Sequence, residues 1–224
     1  MKYLNIVNLI LVCSFGTLLS CGKDNYNEPN ATLSGKVLFD GKPVGVRGSN
    51  NSVRLQLWQN GYALRTPIDV YVTQDGSFSA KLFDGQYQLI TVSGNGPWIH
   101  NTDTLHVNIK GNTQQDVHVK PYYTLENIKY QLTGNKLNAT FQLNKLDPNR
   151  NLDNVNLLIN DTKFVDLGNF EKREFINGNQ SGTISIDLDI TNDLLSKGAL
   201  FARVGVKMNG ITEAIYDPNV FKVK

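Results

Sequence analysis

The sequence predicts an all-β protein: two immunoglobulin-like β-sandwich domains in tandem, following a signal peptide that is removed. Three observations predict it. Turn dipeptides punctuate the chain: Asp40-Gly41, Asn60-Gly61, Asp75-Gly76, Asp84-Gly85, Gly111-Asn112, Gly134-Asn135 and Asn209-Gly210. Such pairs tolerate the positive φ angles of tight hairpins. Between them lie short runs in which apolar and polar residues alternate, the mark of half-buried antiparallel strands. The N-terminus, by contrast, is a long uncharged apolar stretch closed by Leu18-Leu19-Ser20-Cys21.

That N-terminus comes first in the chain. Lys2 supplies a positive charge, and Tyr3 to Leu19 carries none. Asn5, Asn8, Ser14 and Gly16 interrupt the stretch, and a membrane span needs about 20 mostly apolar residues. A basic start, an apolar stretch and a small residue before a cut site read as an export signal. Leu18-Leu19-Ser20-Cys21 resembles the bacterial lipobox, in which a peptidase cuts before a cysteine that carries a diacylglycerol. The expected signal peptide is 1–20, and Cys21 is the expected lipidation site. Cys13 lies within the signal, so Cys21 would be the sole thiol of the exported chain. Acylation removes that liability, and two or three lipid chains together anchor firmly. Residues 21–30 are polar and end near Pro29, as a flexible tether does. Lys23-Asp24 is similar to the surface-export tags of Bacteroidetes-type lipoproteins. The expected location is the outer membrane, lipid-anchored, on the cell surface.

The signal holds one of the 22 basic residues and none of the 20 acidic ones, so the mature chain is nearly neutral. With no basic block, it has no electrostatic reason to bind nucleic acid.

The first domain is expected over 31–120 and the second over 121–224, with the boundary near Pro121. Val53-Arg54-Leu55-Gln56-Leu57 places three aliphatics on one face, and Thr183 to Ile190 alternates throughout. In the first domain, strands are expected near 32–39, 53–58, 68–73, 77–82, 86–92, 104–109 and 113–119. In the second they are expected near 123–132, 137–143, 154–159, 163–166, 182–190, 200–207, 211–216 and 220–223. Thr191 to Lys197, with a capping residue at its start and Gly198 at its end, is the expected short helix.

Leu33-Ser34-Gly35-Lys36-Val37 through Gly41-Lys42-Pro43-Val44 resembles the opening of carboxypeptidase-regulatory-like (transthyretin-like) sandwiches. Thr73-Gln74-Asp75-Gly76-Ser77-Phe78 and Asp84-Gly85-Gln86-Tyr87-Gln88-Leu89 are similar to later elements of that family. With the lipobox and a second sandwich containing Ala202 to Ala214, the mature chain resembles a family of two-domain Bacteroidetes lipoproteins of unknown function. The resemblance implies a place beside starch-utilisation-type glycan importers, and it carries over no site residue.

Catalysis needs convergent groups, and the residues supply none in pattern. His100, His106 and His118 read as solvated strand and loop residues, short of the three or four ligands a zinc site takes. Asp147 to Asp153 alternates oxygen ligands, but Leu152 and Leu158 stand where a calcium loop needs glycine and glutamate. It reads as a polar turn. No nucleophile elbow, zinc helix motif or phosphate loop is present. The expectation is therefore a protein that is not an enzyme and takes no metal or cofactor.

Aromatic placement is the remaining clue. Alternation points Trp58 outward with Arg54 and Gln56, and the Asn60-Gly61 turn brings Tyr62 near. Trp98 sits in the glycine-rich segment Ser93 to Asn101. An exposed ring beside amides can hold a sugar, the ring covering its C–H face. Trp98, Trp58 and Tyr62 are thus the candidate ligand-binding residues. The alternative is that Trp58 is tucked under a loop or packs at the interdomain seam, since tryptophan is usually mostly buried. Trp98 is the better platform, and Trp58, ending an apolar strand, the better packed residue. The function expected is an accessory envelope lipoprotein of an outer-membrane nutrient or glycan uptake system, touching glycan or transporter proteins. The alternative is a structural module contacting another envelope protein.

Overall fold

The computed structural model describes residues 27–61 and 64–224. The expected signal peptide, Cys21 and Tyr62 lie outside the described residues, and residues 27–30 are exposed and carry no helix or strand.

The chain forms two β-sandwich domains. In the first, β1 (Ala31–Phe39) is antiparallel to β2 (Lys42–Pro43) and β5 (Ser77–Leu82), and parallel to β8 (Asn112–Gln114) and β9 (Val117–His118). The facing sheet is antiparallel. It runs in the order β4 (Ile68–Tyr71), β3 (Arg54–Trp58), β6 (Gly85–Thr91), β7 (Leu105–Ile109). The alternation in the sequence sets which faces meet. Leu33, Val37, Leu55, Leu57, Leu89 and Val107 point into the core, and Arg54, Gln56 and Trp58 share the outer face.

The second domain pairs β10 (Tyr123–Thr133), β11 (Lys136–Lys145) and β14 (Gly182–Asp189) in one sheet. The other runs β13 (Lys172–Asn177), β12 (Leu152–Asn160), β15 (Phe201–Met208), β16 (Ile215–Tyr216), with β17 (Phe221–Lys222) also on β15. A short helix, Asn192–Ser196, starts where Thr191 caps the Leu194 N–H. One expected strand is corrected. Residues 163–166 form no strand; a turn closed by mutual Asp166 and Asn169 backbone bonds stands there, and the next strand is Lys172–Asn177.

The two domains are joined by more than the connector. Most of their buried apolar residues merge into one cluster that takes in Val37 and Leu55 from the first and Leu137 and Val204 from the second. Gly45 bridges Tyr216, whose N–H donates to the Gly45 carbonyl at 3.0 Å. A Cβ on Gly45 would sit 2.3 Å from the Tyr216 carbonyl oxygen, so only glycine permits this approach.

Polar clasps reinforce the seam. Arg203, fully buried on β15, donates to the carbonyls of Val46 at 3.0 Å and Gln74 at 2.5 Å in the first domain. It also donates to Asp217 O and Val165 O, and its guanidinium lies over the Tyr216 ring. Asp166, equally buried, accepts from Gly48 N, Ser49 N and Ser49 Oγ of the first domain. Buried charges persist where hydrogen bonds satisfy them, and here Val46 O, Gln74 O, Gly48 N and Ser49 N are backbone partners from the other domain.

Candidate functional site

The seam opens into a cleft of about 530 Å³ between the domains. Tyr71 and Phe164 line it, with Asn51, Thr73, Gln74 and Asp75 among the polar groups between them. Each is placed for a local reason. Tyr71 ends β4 on the outer face, because Val70 and Val72 on either side of it turn inward and are buried. Phe164 lies in the irregular segment after β12, where Asn160 Nδ2 and Asn169 Nδ2 both donate to its carbonyl. Both rings stay open to solvent, Tyr71 at 42% and Phe164 at 57%.

The floor is the turn from Thr73 to Ser77. Thr73 N–H donates to Ser77 O, and Gly76 N–H to Thr73 O. Asp75 Oδ1 accepts from Thr73 Oγ1 at 2.6 Å, Ser77 Oγ at 2.8 Å and Ser77 N at 3.2 Å. Burial works to raise the Asp75 pKa, but these bonds outweigh it and hold the carboxyl below its ordinary value. Gln74 straps the turn to the second domain, its Nε2 donating to Lys163 O at 3.1 Å, while its buried Oε1 has no hydrogen-bond partner. Asn50 and Asn51 form the opposite lip in the left-handed region, which asparagine visits more readily than most residues. Asp166 holds that lip in place through Gly48 and Ser49. The result is two aromatic faces beside amides, hydroxyls and a carboxylate, on a frame fixed from both domains.

The sequence-derived candidates fall elsewhere. Trp98 is 4% exposed and part of the shared core, which corrects its assignment as an open platform. Its loop folds back on the connector: Tyr122 N–H donates to Pro97 O, Ile99 N–H to Lys120 O, and Trp98 bridges Pro121. Gly96 packs so closely on the indole that a Cβ there would lie 2.3 Å from the ring. Asn95 in the same loop is structural too, bonding Arg54 N and Ser52 O at the start of β3.

Trp58 is half-buried on the outer face. The Arg65 guanidinium lies 5.1 Å from its ring centroid and donates to Gln88 Oε1, and the indole N–H is buried without a partner. Trp58 therefore does not line the cleft but shares the face of Tyr71, since Arg54 pairs with Tyr71 and lies four residues before Trp58. Asp147 caps Asn149 N–H in a local turn.

Sequence reasoning missed Tyr71 and Phe164. The alternation around Val70 and Val72 carried the signal for Tyr71. Phe164 carried none, because its segment has no period.

The N-terminal domain model of DUF3823, a protein family of unknown function, matches residues 31–120, and the DUF3823_C domain model matches residues 123–220. A DUF3823 family protein from Parabacteroides merdae is 40% identical, with a TM-score of 0.83 over 88% of this chain and 100% of that one. Another, from Bacteroides ovatus, is 34% identical, with a TM-score of 0.79 over 88% and 100%. A candidate carbohydrate-binding protein from Bacteroides uniformis shares the fold at 20% identity, with a TM-score of 0.71 over 87% and 100%. No curated protein matches the chain.

Proposed function

This chain belongs to the DUF3823 family, and we propose from that premise that it is a lipid-anchored, non-enzymatic envelope protein that holds glycan for an outer-membrane uptake system. The observation that carries the reading is the cleft in which exposed Tyr71 and Phe164 stand beside Asn51, Thr73, Gln74 and Asp75. A pyranose has an apolar C–H face and a rim of hydroxyls. An aromatic ring covers the first, and amide or carboxylate oxygens accept from the second. A concave site with a few convergent polar groups is the usual form of a small-ligand site. The Bacteroides uniformis protein that shares the fold, itself a candidate carbohydrate-binding protein, points the same way. The lipobox-like Leu18-Leu19-Ser20-Cys21 supports anchoring through Cys21, and Lys23-Asp24 supports display at the cell surface.

A second reading, contact with another envelope protein, is favoured by exposed Phe170 and Phe175 on and beside the edge strand β13.

The test is a glycan array probed with the soluble chain from residue 22 onward. The proposal expects a specific glycan class to bind, and expects Tyr71→Ala to lose it. An array with no binder, against a folded protein, transfers the weight to the protein-contact reading.

A further inference from the structure

Resting on that reading, we propose that the ligand is an extended polysaccharide held along its length, running from the cleft across the outer face of β4 and β3 to Trp58. The register places the parts. Tyr71 faces Arg54 across the β3–β4 pair, and Asp69 faces Gln56. All four therefore share a face with Trp58. Trp58 lies four residues beyond Arg54, a distance of about 13 Å along the strand. That exceeds one pyranose ring, so a ligand touching both aromatics must be an oligosaccharide.

Polar contacts knit the surface between them. Arg54 Nε stands 3.3 Å from Asp69 Oδ1, and Gln56 Nε2 donates to the same oxygen at 3.1 Å. Arg54 and Asp69 keep about a third of their side-chain surface open, at 37% and 34%, enough to meet hydroxyls in passing. At the far end Arg65 covers Trp58. Arg65 is exposed, and the extended mode requires it to yield the ring face to a sugar. Tyr71 belongs to both the cleft and this strip, which makes the two continuous.

The experiment is calorimetry with a size ladder. Oligosaccharides, from the disaccharide upward, are cut from whichever of starch, xylan, pectic galactan or mucin glycan binds. Wild-type affinity is expected to climb past the disaccharide. Tyr71→Ala should weaken every member. Trp58→Ala should weaken the long members by about tenfold, the scale of losing one stacked ring, and leave the disaccharide unchanged. Trp58→Phe should retain long-chain binding. Because Trp58 is half-buried, the wild-type ladder decides on its own if Trp58→Ala fails to fold. Affinity that levels off at the disaccharide overturns the extended mode and leaves the cleft reading standing. Failure of these four and of every glycan on the array to bind overturns both.

Discussion

Arg203 of the second domain donates a hydrogen bond to the Val46 carbonyl of the first at 3.0 Å, with neither residue exposed to solvent. This bond and its neighbour to Gln74 O tie the two domains together beside the cleft. The same arginine that satisfies the first domain's backbone also bonds Val165 O, adjacent to Phe164. Burial draws its pKa down to about 10, against the opposing pull of Tyr216, Asp217, Tyr130 and Asp166. It therefore stays charged at neutral pH.

Arg203→Ala should be the most damaging single change at the seam. It empties a buried volume and takes the Arg203 donor from the carbonyls of Val46 and Asp217, while Gln74 O keeps only the Val46 N–H. The expected loss is at least about 3 kcal/mol, read as a fall in melting temperature. Arg203→Lys should restore only part of it, since an ammonium cannot span carbonyls on several sides.

Trp98→Ala should behave as a core truncation. Stability should drop by about 3–5 kcal/mol, while the glycan affinity of the protein that remains folded stays unchanged. Melting temperature and calorimetry on the same preparation separate the two effects.

Glu213 gives a pH signature. Burial pushes its pKa above the ordinary 4.5, and Asp166 adds to this, while Arg47 and Lys207 oppose it. A carboxyl with a raised folded-state pKa binds its proton more tightly folded than unfolded. Its ionisation therefore costs stability as pH rises from 4.5 through the folded value. Glu213→Gln should match the wild type below that window and gain stability across it, levelling off above. Denaturant midpoints measured from pH 4 to pH 8 test the sign; a gain confined to low pH would contradict it.

Cys21→Ala should release the protein from the membrane fraction, and metabolic labelling with a fatty-acid analogue should show no label on it. Label retained on that variant would refute lipidation at Cys21.

The sandwiches were legible because their strands alternate. Thr183 to Ile190 and Val53 to Leu57 announce both face and direction. Strand β13 was not, because Lys172-Arg173-Glu174 places charges on both faces, as an edge strand can. Arg203 sits among apolar residues of β15, and nothing beside it in sequence says that its partners come from residues 46 and 74. Trp98 misled for the same reason. Its own loop is polar and glycine-rich, and the surface that buries it is the connector around Pro121. What was hidden at Arg203 and Trp98 is contact with residues distant in sequence, which no local pattern encodes.

The central claim is that the cleft between Tyr71 and Phe164 binds glycan. The direct measurement is titration of the array-selected glycan into the wild type and into Tyr71→Ala and Phe164→Ala, each first shown to melt within a few degrees of the wild type. Both rings are exposed, so truncation should leave the fold intact. The account predicts that each variant loses about 1–3 kcal/mol of binding, the scale of a stacked aromatic face. Wild-type affinity in both folded variants would contradict it.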